Sequence, residues 1–443
     1  MRRRTTGKAT LYRRGIISVV ACLAIACAAS ATAAGRRTAP VMDRPAPGTA
    51  ALEASGLEHV ANIPYGGFTT ADLGGGSDIE FATIGGRDYA FLGRILKPVV
   101  VVDITDPREP RRVAEVPCSL YQNDLQIRGT TLVMAADDYG QNTCQLNGRN
   151  SHLLKGGFAT ADISDPLNPR VLATVPVKWG NHNHTLHPTR PLLYVSNSDL
   201  AFPETLYIPP TEVPLSASIE IWDLSTPAAP ARVKEWVYAP GSSPHDITFN
   251  ASGTRAYAAS IDHTDIIDTT DPVNPVLVQA IVHPEIHISH QADPTPDGKR
   301  LLVSDEVGGG RISPVCPGGG IHVYDISNEV APVKMGVFWP DDLGPKGGSC
   351  TAHVFRINPD GKTMAVGWYG AGVHVLDISS LLQVNAAGVG AMTNLGVRPL
   401  GSNKQPLAST WAAKMWQERH PGYVFANDIS RGFDVFYLPS LGQ

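Results

Sequence analysis

Four histidines open equivalent short segments of this chain: His182 in HNHTL (182–186), His245 in HDITF (245–249), His290 in HQADP (290–294) and His353 in HVFRI (353–357). Related segments, SDIEF (77–81) and NDLQI (123–127), open on Ser77 and Asn123 instead. Neutral imidazoles converging from rigid strands suit copper, zinc, iron or nickel, and a set with few carboxylates disfavours calcium and magnesium. His184 lies two residues beyond His182, and a strand period of two puts both side chains on one face. The expected metal ligands are His182, His245, His290 and His353, with His184 as an alternate. A lone histidine in a wet, polar channel is as well explained by a hydrogen bond to water or a carbonyl. Four copies at one repeat position shift the balance toward a metal, although repeats also copy structural residues.

The elements that would position these side chains repeat along the chain. An apolar, β-branched strand ends on an anchor at Asp103, Asp162, Asp223, Asp268, Asp325, Asp377 and Tyr437, at spacings of 59, 61, 45, 57, 52 and 60 residues. Each spacing holds about four short strands. Behind most anchors runs Asp-x-Ser/Thr-x-Pro-x-x-Pro, which must turn: proline gives the ladder no donor, and the Asp carboxylate can bond the turn backbone. HVANIP (59–64) reads like RVAEVP (112–117), an outermost strand without a unit of its own, and the last unit stops six residues beyond Tyr437 with no space for that strand. Joining the two ends closes a ring and removes the open edges. The expectation is an all-β, seven-bladed β-propeller over residues 57–443, closed by the N-terminal strand completing the last blade.

In such a blade the four histidines lie at one channel mouth. Second-strand ends on the same face supply Asp137, Asp138, Asn197, Asp262, His263, Asp305, Glu306 and Asp428 as orienters of ligating imidazoles or as acid/base groups. Asp305 and Glu306 are the catalytic candidates; Asp78, Asp124 and Asp246 stand next to opening residues and are read as braces between blades. Four insertions crowd this face: 139–157, 198–217, 306–319 and 383–410. Loops on a rigid scaffold commonly carry recognition, and 198–214 could form an apolar lid. His283 and His287 are read as bystanders, His322 and His374 as remote from the channel, and His59, His152, His187 and His420 as solvated. No nucleotide cofactor is expected, because neither Gly308-Gly309-Gly310 nor Gly318-Gly319-Gly320 is followed by Lys-Ser/Thr and an opening helix.

Residues 1–33 read as a signal peptide: basic residues, an apolar run from Ile16 to Ala29, then Ala31-Thr32-Ala33. Two variants stay open, a twin-arginine signal at Arg13-Arg14 and a lipoprotein box ending at Cys22. Residues 34–56, rich in Ala, Pro and Arg, read as a linker. Removing Arg2, Arg3, Arg4, Lys8, Arg13 and Arg14 takes the formal charge from −5 to −11, which argues against a nucleic-acid partner. No segment is long and apolar enough for a membrane span, and a secreted or extracytoplasmic monomer is expected. Four cysteines then remain, and loop placement pairs Cys118 with Cys144 and Cys316 with Cys350; Cys350 as a metal ligand is the competing reading.

The strand and turn in VVVVDITDPREP (99–110) and FATADISDPLNP (158–169) resemble the LVIVD repeat of bacterial secreted and cell-surface β-propellers, over nearly the whole mature chain. That resemblance implies the fold and leaves the activity open. A histidine-lined mouth is more remotely similar to selenium-binding proteins with methanethiol oxidase activity. SPHD (243–246) and NHNH (181–184) resemble histidine motifs in the propeller of nitrous oxide reductase, but the full histidine set and the cupredoxin domain are missing. Three functions follow, in order: a transition-metal oxidoreductase acting on a small molecule, a non-catalytic scaffold binding a protein or glycan through the top-face loops, and a metal-dependent hydrolase.

Overall fold

Each anchor aspartate does what its turn requires. The carboxylates of Asp103, Asp162, Asp223, Asp268, Asp325 and Asp377 accept the backbone N–H two residues on, from Thr105, Ser164, Ser225, Thr270, Ser327 and Ser379, at 2.7–3.0 Å. In Asp103, Asp162, Asp268, Asp325 and Asp377 the same carboxylate also pairs with an arginine, from Arg87, Arg170, Arg255, Arg300 and Arg398. These turns end the third strand of six blades in one way and start the fourth.

The computed structural model describes residues 53–65, 74–138, 140–197, 218–237, 244–307, 318–340, 350–383, 392–393 and 395–442. They form a seven-bladed β-propeller of antiparallel sheets. The innermost strands are Gly76–Ile84, Gln122–Arg128, His184–Leu186, Asp246–Phe249, Ser289–Pro294, Phe355–Ile357 and Thr410–Met415, numbered here as blades 1 to 7. Glu58–Ile63 pairs with Gly432–Tyr437 as the fourth strand of blade 7, so the ring closes as the sequence predicts. Pairing begins earlier than that strand: Glu53–Ser55, within the stretch read as a linker, lies on the outer edge of blade 6. Val99, Val100, Val101 and Val102 are all fully buried, because neighbouring blades cover both faces of a sheet. That is why the third strands read as continuous apolar runs rather than alternating ones.

Inner strands are also laced from blade to blade by side chains. Asp78 Oδ2 of blade 1 accepts from Leu125 N of blade 2 (3.2 Å), Thr185 of blade 3 donates to the Ile247 carbonyl, and Thr248 of blade 4 donates to the Ala292 carbonyl. Gln291 of blade 5 bonds both the N–H and the carbonyl of Phe355 in blade 6, at 3.0 and 2.8 Å. Lys414 of blade 7 donates to the Ile79 carbonyl at 2.8 Å. A site built across several blades is therefore held by a fixed inner wall.

Extra strands cover some outer edges. The 139–157 insertion contributes the hairpin Thr143–Leu146 and Arg149–His152 to blade 1, and Met392–Thr393 runs parallel to the outer strand of blade 5. Part of the 383–410 insertion is the fourth strand of blade 6, Arg398–Lys404. Cys118 and Cys144 face each other across the first of these edges and form a disulfide. Cys350 is disulfide-bonded as well; Cys316 lies outside the described residues, as do 1–33 and the loop 198–217.

The anchor turns make a prediction about acid. Hydrogen bonds from Ser164 hold Asp162 below the ordinary carboxylate value, those from Ser225 do so for Asp223, and those from Thr270 for Asp268. A depressed folded-state value contributes stability present above the unfolded-state value and lost as pH falls through the folded one. The melting temperature should therefore drop below about pH 4, and drop less in an Asp162→Asn/Asp223→Asn/Asp268→Asn variant. Calorimetric melts from pH 3 to 7 check this; parallel curves for the two proteins would refute it.

Candidate metal site at the channel mouth

Opening positions of blades 3 to 6 place His182, His245, His290 and His353 in one continuous arc. Successive ring centroids are 4.2, 4.3 and 4.1 Å apart. The two ends are oriented by their Nδ1 atoms: His182 donates to Asp137 Oδ2 (2.8 Å) and His353 donates to the Trp411 carbonyl (2.7 Å). Such partners fix the tautomer and leave the other ring nitrogen as a lone-pair donor. The central pair is different. His245 and His290 each keep a buried Nδ1 with no hydrogen-bond partner among the described residues.

One carboxylate enters the arc. Glu306 Oε2 lies 3.8 Å from His290 Nε2, and Oε1 lies 3.5 Å from His353 Nε2. Oε1 also accepts from the Tyr369 hydroxyl at 2.6 Å. Among the described residues, His245, His290 and Glu306 form a buried group whose ligand atoms all lie within 4.8 Å of one another. Tyr369 and Trp411 pack on His353 from two sides, at 4.6 and 4.5 Å between centroids.

Burial sets the charge states. It drives the imidazoles of His245 and His290 well below the ordinary value, helped by neighbouring imidazoles, and takes His353 down to about 3. All three are neutral at pH 7, the form that binds a metal. Burial opposes protonation of His182 too, but the Asp137 carboxylate outweighs it and the net shift is upward. Glu306 is pushed up to about 7 by burial, with the Tyr369 hydrogen bond acting the other way. Two neutral imidazoles, a carboxylate and two flanking imidazoles fit a mononuclear transition metal.

Other sequence candidates fall elsewhere. His184 does not join the arc: it is fully buried, with the Asn181 amide on its Nδ1 (2.9 Å), and burial takes it down to about 3. The strand begins only at His184, so the period of two does not extend back to His182. Asp305 faces the rim, where Oδ1 accepts from the N–H groups of His287 and Ile288 (3.0 and 3.1 Å) and Oδ2 accepts from His287 Nδ1 (3.2 Å). Asp138 pairs with Lys155, Asn197 binds Trp179 N and Ser218, Asp262 binds His263, and Asp428 binds Ser409 and Thr410. His187 and His420 are buried rather than solvated. The first bonds the Gly253 carbonyl at 3.0 Å, and the second packs beside Asp88. Tyr369 is neither an anchor nor an opening residue of the repeat and carried no signal there; its contact with Glu306, and the packing of Tyr369 and Trp411 on His353, join three different blades and are products of tertiary structure.

No family model and no curated protein matches the sequence. The resemblance to the LVIVD repeat thus rests on the repeat residues alone. Among solved structures, the chain is similar to the periplasmic gluconolactonase PpgL of Pseudomonas aeruginosa, with a TM-score of 0.53 and 12% identity over 78% of this chain and 89% of that one. It is also similar to the Cps50 (Swd1) β-propeller domain of Myceliophteria thermophila, with a TM-score of 0.50 and 14% identity over 82% and 97%. At such identities the likeness concerns the propeller fold and carries no reaction.

Proposed function

We propose that the protein is an exported metal-dependent oxidoreductase that binds a small molecule over a mononuclear transition metal at the channel mouth. His245, His290 and Glu306 would hold the metal, with His182 and His353 completing the arc. The observation that carries this is the buried His245/His290/Glu306 group, whose ligand atoms all lie within 4.8 Å of one another. Two imidazoles and one carboxylate with open positions are a donor set of redox-active iron(II), and extra imidazoles extend the choice to copper. Bound there, the metal would supply electron transfer at an open position. The chain's own groups keep the His245, His290 and His353 imidazoles neutral, orient His182 and His353, and bury the ligands away from bulk water.

The same two-histidine, one-carboxylate set also serves hydrolytic zinc, which makes a metal-dependent hydrolase the second reading. The extracytoplasmic location is supported by the leader-like N-terminus and by the Cys118–Cys144 disulfide. Elemental analysis of residues 34–443, purified without a polyhistidine tag, separates the cases. About one equivalent of iron or copper is expected. Zinc alone would move the assignment to hydrolysis. No metal after reconstitution with each ion would overturn both readings and leave the protein- or glycan-binding scaffold.

A further inference from the structure

Tyr369 stands where the fold bends its backbone into the left-handed region, at φ 41°. The hairpin of blade 4 does the same at Ile261, φ 68°. Both positions also make the same link to the next blade: Tyr369 exchanges two backbone hydrogen bonds with Thr410 (3.1 and 2.9 Å), and Ile261 exchanges two with Ser289 (3.3 and 2.6 Å). The bend and the bridge are therefore shared by blades 4 and 6. The side chain is not. Blade 4 carries an aliphatic residue there, whereas blade 6 carries a phenol that is almost fully buried and aimed at Glu306.

We infer that Tyr369 is a positioning residue for the metal site: its hydroxyl engages Oε1 of Glu306, so that the carboxylate offers Oε2 alone beside His290 and His245. This rests on the reading of His245, His290 and Glu306 as metal ligands. Oε2 is the oxygen nearer His290, and Oε1 is the one that both Tyr369 and His353 approach. A free carboxylate can bind a metal through both oxygens and fill an extra position. With Oε1 held by a strong hydrogen bond, Glu306 binds through one oxygen, and the position it would have taken stays open for a small molecule. A left-handed backbone is strained at a non-glycine residue. Glycines at 370 and 372 flank the site. A tyrosine at the strained position is explained by its hydroxyl, because glycine would satisfy the turn without strain.

Cobalt(II) is the probe, since its visible absorption reports coordination number. Metal-free residues 34–443 and the Tyr369→Phe variant would be titrated with cobalt(II) against a competing chelator. The parent should bind about one equivalent, and Tyr369→Phe should bind it about 10- to 100-fold more weakly. The variant's visible band should also change in intensity, as Glu306 becomes free to use both oxygens. Equal affinity together with superimposable spectra would overturn the positioning role. Failure of the parent to bind cobalt(II) would instead overturn the ligand assignment beneath it, so the two failures are distinguishable. Melting curves of both apo proteins control for folding. Should Tyr369→Phe not fold, Glu306→Asp asks the same question: the shorter side chain cannot reach Tyr369 and the metal together, and an unchanged affinity and spectrum would again refute the proposal.

Discussion

A His245→Ala/His290→Ala variant is expected to remain folded and to lose its transition metal, with affinity reduced by more than about a thousandfold, or about 4 kcal/mol. Both imidazoles are buried and neutral, and each keeps an Nδ1 without a partner. Truncation therefore removes two unsatisfied polar atoms, each of which costs roughly 1–3 kcal/mol to bury. It also opens a cavity, and the two effects oppose each other. The metal has no such compensation, since two of the three clustered donors are gone and only Glu306 remains among them. A melt with and without chelator reads both consequences. Metal at a thousand times its dissociation constant stabilises a folded site by about 4 kcal/mol, so chelation should lower the parent's melting temperature and leave the variant's unchanged. A variant that still binds one equivalent, with a chelator-sensitive melt, would place the metal elsewhere.

His182, His245, His290 and His353 were legible in the sequence because two periodic signals coincide. The Asp-centred turn fixes the end of the third strand, and the hairpin turns at 250–254, 296–299 and 359–362 fix where the first strand begins. Once the ring is inferred, equivalent positions must converge. The same logic failed at His184, where strand geometry starts two residues later than the alignment assumed. It also missed the fourth strand of blade 6, Arg398–Lys404, because the inserted residues before it displace that strand from its repeat position. Glu306 was visible as one of eight polar groups on the same face and, together with Asp305, as a catalytic candidate rather than as a metal ligand. Its selection comes from the direction taken by each side chain at a hairpin end: Asp305 turns outward to His287, and Glu306 turns inward to Tyr369. No local pattern encodes that choice, which depends on blade 6 packing against blade 5. His187 and His420 were misread for a related reason, since a polar residue near a turn looks solvated until a neighbouring blade covers it.

The largest stability effect should come from a segment that touches no ligand. A chain begun at residue 66 rather than 34 lacks Glu58–Ile63, and with it the ladder to Gly432–Tyr437. It also lacks the buried Leu57, whose carbonyl accepts from Asn403 at 2.7 Å, and the contacts of His59 and Asn62 with Asp434, both at 2.8 Å. Lost burial and lost ladder bonds together are on the order of 5–10 kcal/mol. A whole domain is stable by only about 5–15 kcal/mol. The truncated chain is therefore expected to lose its cooperative melt, and a synthetic peptide of residues 53–65 added in trans should restore part of it. A melting temperature within about 3 °C of the parent's would refute this. The distinction matters for the site. If blades were stabilised only by their nearest neighbours, as repeats in an open solenoid are, blades 3 to 6 would keep their histidine arc whatever happened at the seam. In a closed ring, inner strands are laced around the axis, through Lys414 to Ile79 at the seam and Asp78 to Leu125 beyond it. Opening blade 7 should then cost metal binding on the far side of the channel, with every candidate ligand still present in the chain.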